Sequence, residues 1–250
     1  MRALSKPIAF AVLFALAAPA VALAALSRQT LDGTWESPWP ADVLPKPGAP
    51  PHPVETTPPP LKPQYLAAWK AQQKAAAEAS ARGDAPVNGA AQCIPPGMPS
   101  MMNPGFPVEV LLSPGRMTVI NEQLNQIRRI YLDEPQMALD DAEPWYQGHS
   151  VGHWEGNVLV VNTIGLKDAA RMSGVPHSAN VRIDERFEPT SPDTFEDHIT
   201  VTDPEYLTGP WSWTYHYRRK SGYKIEEFVC ENNRVYADPK TGGQRIRLEP

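Results

Sequence analysis

His149 and His153 sit four residues apart in the run Gly148-His149-Ser150-Val151-Gly152-His153-Trp154-Glu155-Gly156-Asn157-Val158-Leu159-Val160-Val161. On a helix that spacing puts two imidazoles on one face, as in zinc sites. Here Gly148, Gly152 and the Glu155-Gly156-Asn157 turn, followed by an apolar run, predict a β-hairpin instead. Four residues of strand cover about 13 Å, too far for both rings to hold one ion. No metal site is therefore expected. His149 alone, beside Ser150, keeps the role of an acid/base or a substrate hydrogen-bond partner. His177, in Pro176-His177-Ser178, falls in a long loop over 164–180 of the kind that caps a scaffold and carries function.

Two carboxylates stand out when the strands are read by alternation. Glu185 shares a face with Val181, Ile183 and Phe187, and Asp197 shares one with Phe195, Ile199 and Val201. Burying a carboxylate requires a hydrogen-bonding or cationic partner, or a raised pKa. That is the signature of a general acid/base in a cavity. It is equally the signature of a structural ion pair, for which Arg129, on one face with Ile127 and Tyr131, is the expected partner. Asp197 is the weaker candidate, because a one-residue bulge would turn it outward. Trp211, Trp213, Tyr215 and Tyr217 also share a face, as core or as the wall of a cavity for an aromatic or apolar ligand. The catalytic candidates are thus His149, Glu185 and His177. The substrate-binding candidates are Tyr131, Arg129, Trp213 and Tyr215.

The elements that must position them are mostly strands. Strands are expected near 108–112, 116–121, 127–132, 149–154, 158–163, 181–187, 194–202, 211–219 and 223–230, with turn signals such as Ser113-Pro114-Gly115 and Ser221-Gly222 between several of them. A further strand is possible at Gly33-Thr34-Trp35. Near-regular spacing of short strands predicts a mainly β domain, an antiparallel barrel or sandwich of lipocalin or calycin type. One helix is expected over 64–82, after Pro63 and before Gly83-Asp84-Ala85-Pro86, docking by Tyr65, Leu66 and Trp69. Residues 38–63 carry 11 prolines and read as an extended arm. Met98, Met101 and Met102 lie in the Pro-rich loop 93–107. Thioethers suit Cu(I), but no histidine or cysteine stands at ligand spacing, so an apolar plug over a core is preferred.

The first 25 residues carry Arg2 and Lys6, an apolar run from Ile8 to Leu16 and small residues at Ala20, Ala22 and Ala24. That composition is a secretory signal peptide cleaved near residues 22–25, too short in its apolar run to span a membrane. The expected organisation is 1–25 signal peptide, 26–92 arm and helix, and 93–250 a single β domain, periplasmic or secreted. The net charge of −5 becomes −7 without Arg2 and Lys6. An acidic chain without a basic block is a poor nucleic-acid binder. Cys93 and Cys230, an even pair in an exported chain, suggest one disulfide, with a free thiol nucleophile as the rival. No nucleophile elbow, P-loop or dinucleotide fingerprint occurs, so no cofactor is expected.

Arg128-Arg129-Ile130-Tyr131-Leu132-Asp133, the hairpin from Gly148 to Val161, Pro176-His177-Ser178, Glu185-Arg186-Phe187 and Phe228-Val229-Cys230-Glu231-Asn232-Asn233 together resemble a widespread group of exported, largely uncharacterised bacterial proteins. Their hallmark is Gly-His-Ser-x-Gly-x-Trp-Glu-Gly-Asp followed by Leu-Val-Val, and the likeness covers roughly 93–235. This chain departs from it at His153, where the group has arginine, and at Asn157, where it has aspartate. Asp197 also stands where a neutral residue is expected. The resemblance implies export and a β-rich domain, and it keeps His149, His177, Glu185 and Cys230 on matching positions.

The favoured functional expectation is an exported, cofactor-independent enzyme. It would use His149, Glu185 and His177 for lyase, isomerase or hydrolase chemistry on a small organic, aromatic or sugar-like molecule in a barrel cavity. The alternatives are a non-catalytic periplasmic module for an apolar ligand, and an envelope interaction protein using the proline arm and helix. The sequence assigns no oligomeric state.

Overall fold

The computed structural model describes residues 28–36, 58–82, 93–103, 105–170, 172, 174–230, 235–237 and 244–246. Residues 1–25, expected to be a signal peptide, and most of the expected proline arm lie outside the described residues.

Nine strands close into a barrel in sequence order. They are β1 (Gly33–Glu36), β2 (Val108–Ser113), β3 (Arg116–Asn121), β4 (Gln126–Leu132), β5 (His149–Glu155), β6 (Val158–Ile164), β7 (Arg182–Ser191), β8 (Thr194–Thr202) and β9 (Trp211–Arg219). This is the lipocalin-type barrel that the strand spacing leads one to expect. A separate two-stranded ribbon pairs β10 (Val235–Ala237) with β11 (Gln244–Ile246). One seam of the barrel differs from an all-antiparallel design: β4 and β5 run parallel, Ile130 opposite Ser150 and Leu132 opposite Gly152. A parallel pair cannot be joined by a tight turn, which is why residues 133–148 form a long crossover.

The expected hairpin forms, with Glu155 opposite Val158 across a two-residue Gly156-Asn157 turn. Gly156 takes φ +66°, the left-handed region such turns require. Gly152 faces inward, where an added Cβ would come within 3.0 Å of the Val160 carbonyl.

Two sequence expectations need correction. Residues 223–230 form no strand. They run as an extended segment held by side chains: Tyr223 donates to Glu122, and Asn125 and Phe228 exchange two side-chain–backbone hydrogen bonds. The ninth barrel strand is β1 instead, and it closes the barrel against β9 through Trp35–Arg219 and Glu36–Arg218. The second correction concerns β4. Its buried face is Gln126, Arg128 and Ile130, while Ile127, Arg129 and Tyr131 point outward.

The barrel is covered at both ends. At one end the short 3-10 helix Arg28–Leu31 buries Leu31, and Asp32 accepts a hydrogen bond from the Leu112 amide. At the other, the loop of residues 93–107 buries Met98, Met101 and Met102 completely. Asn121 donates to the Met101 carbonyl and Tyr217 to that of Met102. The three methionines are thus an apolar plug, the preferred of the two readings of their spacing. A disulfide joins Cys93, where this loop starts, to Cys230.

Helix α1 (Pro63–Ala81) covers the same end. Proline at its first position needs no amide hydrogen bond there. Tyr65, Leu66 and Trp69 pack on the core, with the Tyr65 and Tyr206 rings 4.2 Å apart. The end of the proline arm docks beside it, Leu61 bridging to Leu207. No described helix is long and apolar enough to cross a membrane.

Candidate functional site

Among the described residues, the barrel interior carries one ion pair and one carboxyl without a hydrogen-bond partner. Arg128 reaches inward from β4. Its Nη1 donates to Glu185 Oε1 at 2.8 Å, and its Nη2 donates to Glu185 Oε2. The guanidinium also contacts Ser150 Oγ at 3.1 and 3.2 Å and Thr163 Oγ1 at 2.9 Å. Those two hydroxyls are 2.8 Å apart. Four consecutive strands, β4 to β7, each contribute one side chain to this network. It spans the parallel seam, and it leaves Glu185 fully occupied by a bidentate partner.

Asp197, on β8, is fully buried, and neither carboxylate oxygen has a hydrogen-bond partner. Its neighbours are aromatic. Phe187 and Tyr215 lie directly opposite it on the two flanking strands. Trp213 and Tyr217 are the diagonal positions on β9, and Phe195 precedes it on the same face of β8. Burial, reinforced by the nearby Glu185 charge and opposed by Arg128, holds the Asp197 carboxyl well above the usual carboxylate range. Burial thus favours the protonated carboxyl, which has one O–H to donate and one C=O to accept.

The aromatic wall is polar at two points. Burial pushes the Tyr215 hydroxyl up, with the adjacent Trp213 indole pulling the other way. Yet Trp213 Nε1 is buried and meets no acceptor at hydrogen-bonding geometry. Burial likewise raises Tyr217, whose hydroxyl already donates to Met102. An unpaired donor on Trp213 and an unpaired carboxyl on Asp197 therefore sit at neighbouring positions of one interior wall. Trp211, at the start of the same strand, packs against Trp213 with ring centroids 4.7 Å apart and planes tilted by 51°.

The residues singled out by sequence separate into two groups. Glu185, Trp213 and Tyr215 line the interior as expected, and Asp197 joins them. His149 does not: its neighbours Ser150 and Gly152 take the inner face of β5. The His149 ring lies outside, packed at a tilt 4.3 Å from Trp145, with Nε2 donating to the Glu143 carbonyl at 2.7 Å. Arg129 and Tyr131 are also outward, and Arg128 takes the place proposed for Arg129 beside Glu185. His177 is half-buried in the 165–181 loop. Its Nδ1 donates to the Ser178 carbonyl, and its Nε2 is buried without a partner. The Ser178 amide and hydroxyl both donate to the Asp203 carboxylate. His149 and Glu185 thus occupy opposite faces of the barrel wall.

Arg128, Ser150 and Thr163 are the site residues that sequence reasoning missed. Counting apolar residues on β4 favours the Ile127–Arg129–Tyr131 face, two apolar out of three. The inner face holds Gln126 and Arg128 because each has an interior partner. Gln126 accepts from the Gly97 amide, and Arg128 pairs with Glu185. No group of three or more metal-ligating side chains lies together among the described residues. No family model matches the chain, and no curated protein matches it.

Proposed function

We propose that this chain is an exported small-molecule binding protein that encloses a ring-bearing or apolar ligand with one polar group inside its barrel. The single observation that carries this reading is the pair of unsatisfied buried groups, Asp197 and the Trp213 indole N–H, on one aromatic wall. A buried polar group without a partner costs about 1–3 kcal/mol. A ligand that supplies an acceptor to Trp213 and a partner to Asp197 recovers that cost, while the surrounding rings bury its body. Export is supported by the N-terminal residues 1–25 and by the Cys93–Cys230 bond, which suits an oxidising compartment. The resemblance to an exported bacterial group agrees with it.

Binding is preferred to acid/base catalysis because the expected catalytic side chains do not converge. His149 faces outward and Glu185 is held by Arg128. Catalysis would have to rest on Asp197 and on the free Nε2 of His177. Native mass spectrometry of the protein after exposure to a metabolite extract distinguishes the two. Binding gives a one-to-one complex with the ligand chemically unchanged after long incubation, weakened in Trp213→Phe and kept in His149→Ala. Conversion of the ligand by the wild type, abolished in His177→Ala, would overturn the binding reading.

A further inference from the structure

The charge balance of the interior narrows the ligand class. Arg128 and Glu185 cancel each other within one bidentate pair. The groups facing Asp197 are Glu185 on β7, Arg128 on β4, and Tyr215 and Tyr217 on β9. Arg128 is engaged by Glu185, Ser150 and Thr163 and does not reach the Asp197 oxygens. Asp197 is therefore the one interior carboxyl without a cationic partner, among the described residues of the barrel wall. Around it stand Phe187, Phe195, Trp213, Tyr215 and Tyr217. The faces of such rings carry negative potential and attract organic cations. A carboxyl set among aromatic side chains, once ionised, is complementary to an ammonium group, and a proton competes with the cation for that place.

We propose that the barrel interior binds a small organic ammonium ion, with Asp197 as its counter-ion and the Trp213 and Tyr215 rings as its cage. This rests on the reading of the interior as a ligand site. Binding exchanges the Asp197 proton for the cation: the proton leaves to buffer as the ammonium enters, and no covalent bond forms.

Isothermal titration of the purified chain with benzylammonium and with its neutral analogue benzyl alcohol, at several pH values and in two buffers, tests it. Benzylammonium is expected to bind about tenfold or more tighter than the alcohol at pH 8. Its affinity is expected to rise by up to about tenfold per pH unit while Asp197 is protonated in the free protein, with one proton released. Asp197→Asn, which preserves shape, should abolish the preference and the proton release, its fold verified by circular dichroism. Equal or tighter binding of benzyl alcohol without proton release would overturn the ammonium proposal and leave the interior ligand site standing. A preference for benzylammonium that survives in Asp197→Asn would also overturn it. Binding of neither probe would count against both.

Discussion

Arg128 on β4 and Glu185 on β7 form a two-pronged ion pair, with both side chains fully buried and the hydroxyls of Ser150 and Thr163 filling the span between their strands. The geometry ties together the one seam where strands run parallel and the ladder is weaker per residue. Removing one partner leaves the other charge buried and bare, whereas removing both does not. Arg128→Met is therefore expected to lower unfolding stability by about 3–5 kcal/mol. The double variant Arg128→Met with Glu185→Leu should recover most of the loss. Urea denaturation of the three proteins measures both effects, and a double variant as unstable as the single one would mean that the hydrogen bonds themselves, not the uncompensated charge, matter.

Asp197 gives stability an unusual pH dependence. Its folded-state pKa is raised, chiefly by burial. Between the unfolded value, about 3.9, and the raised folded value, the native state holds a proton that the unfolded state has lost. Unfolding then releases a proton, so stability falls as pH rises through that window, by at most about 1.4 kcal/mol per unit. Asp197→Asn keeps the neutral form at all pH values. It should be more stable than wild type at pH 7–8 and equal to it near pH 3. Thermal melts across that range check the sign; a variant that is less stable at neutral pH would show that the carboxylate is ionised and paired.

The Cys93–Cys230 bond closes 137 residues of chain and anchors the methionine plug. The chain-entropy relation gives a stabilisation of roughly 5 kcal/mol for a loop of that length. Cys93→Ser with Cys230→Ser should lower the urea midpoint accordingly. It should also open the 93–107 loop to proteolysis before the barrel strands are cut. Mass spectrometry of the first fragments reads the order of cleavage.

His149→Ala serves as the outward counterpart. The substitution removes one hydrogen bond to the Glu143 carbonyl and the ring contact with Trp145. The expected cost is within about 1 kcal/mol of stability, with no change in interior ligand binding. A loss of binding in the folded variant would place His149 in the ligand's path.

Much of the fold was legible because alternation works on strands with one buried face. The inward series Ile183–Glu185–Phe187, Phe195–Asp197–Ile199 and Trp211–Trp213–Tyr215–Tyr217 all follow from period two. Alternation fails where a polar residue takes the inner face because a distant partner satisfies it, as Arg128 does with Glu185, 57 residues away. It also misleads at His149, whose chemistry suggested the inner face while Ser150 and Gly152 occupy it. Segment 223–230 shows a third limit. Its composition suits a strand, but β1, more than a hundred residues earlier, takes the closing position beside β9. Asp197 was visible as a carboxyl on an apolar face. What marked it as a site was the absence of a partner, which only the assembled barrel reveals.

The Trp213 indole N–H offers the most direct test of an interior ligand site. Its resonance in a nitrogen–proton correlation spectrum can be assigned by its loss in Trp213→Phe. Titration with benzylammonium or benzyl alcohol is expected to shift that resonance and slow its exchange, while the indole of outward-facing Trp145 stays unmoved. Movement of the Trp145 signal with Trp213 unchanged would place the ligand on the outer surface and contradict binding inside the barrel.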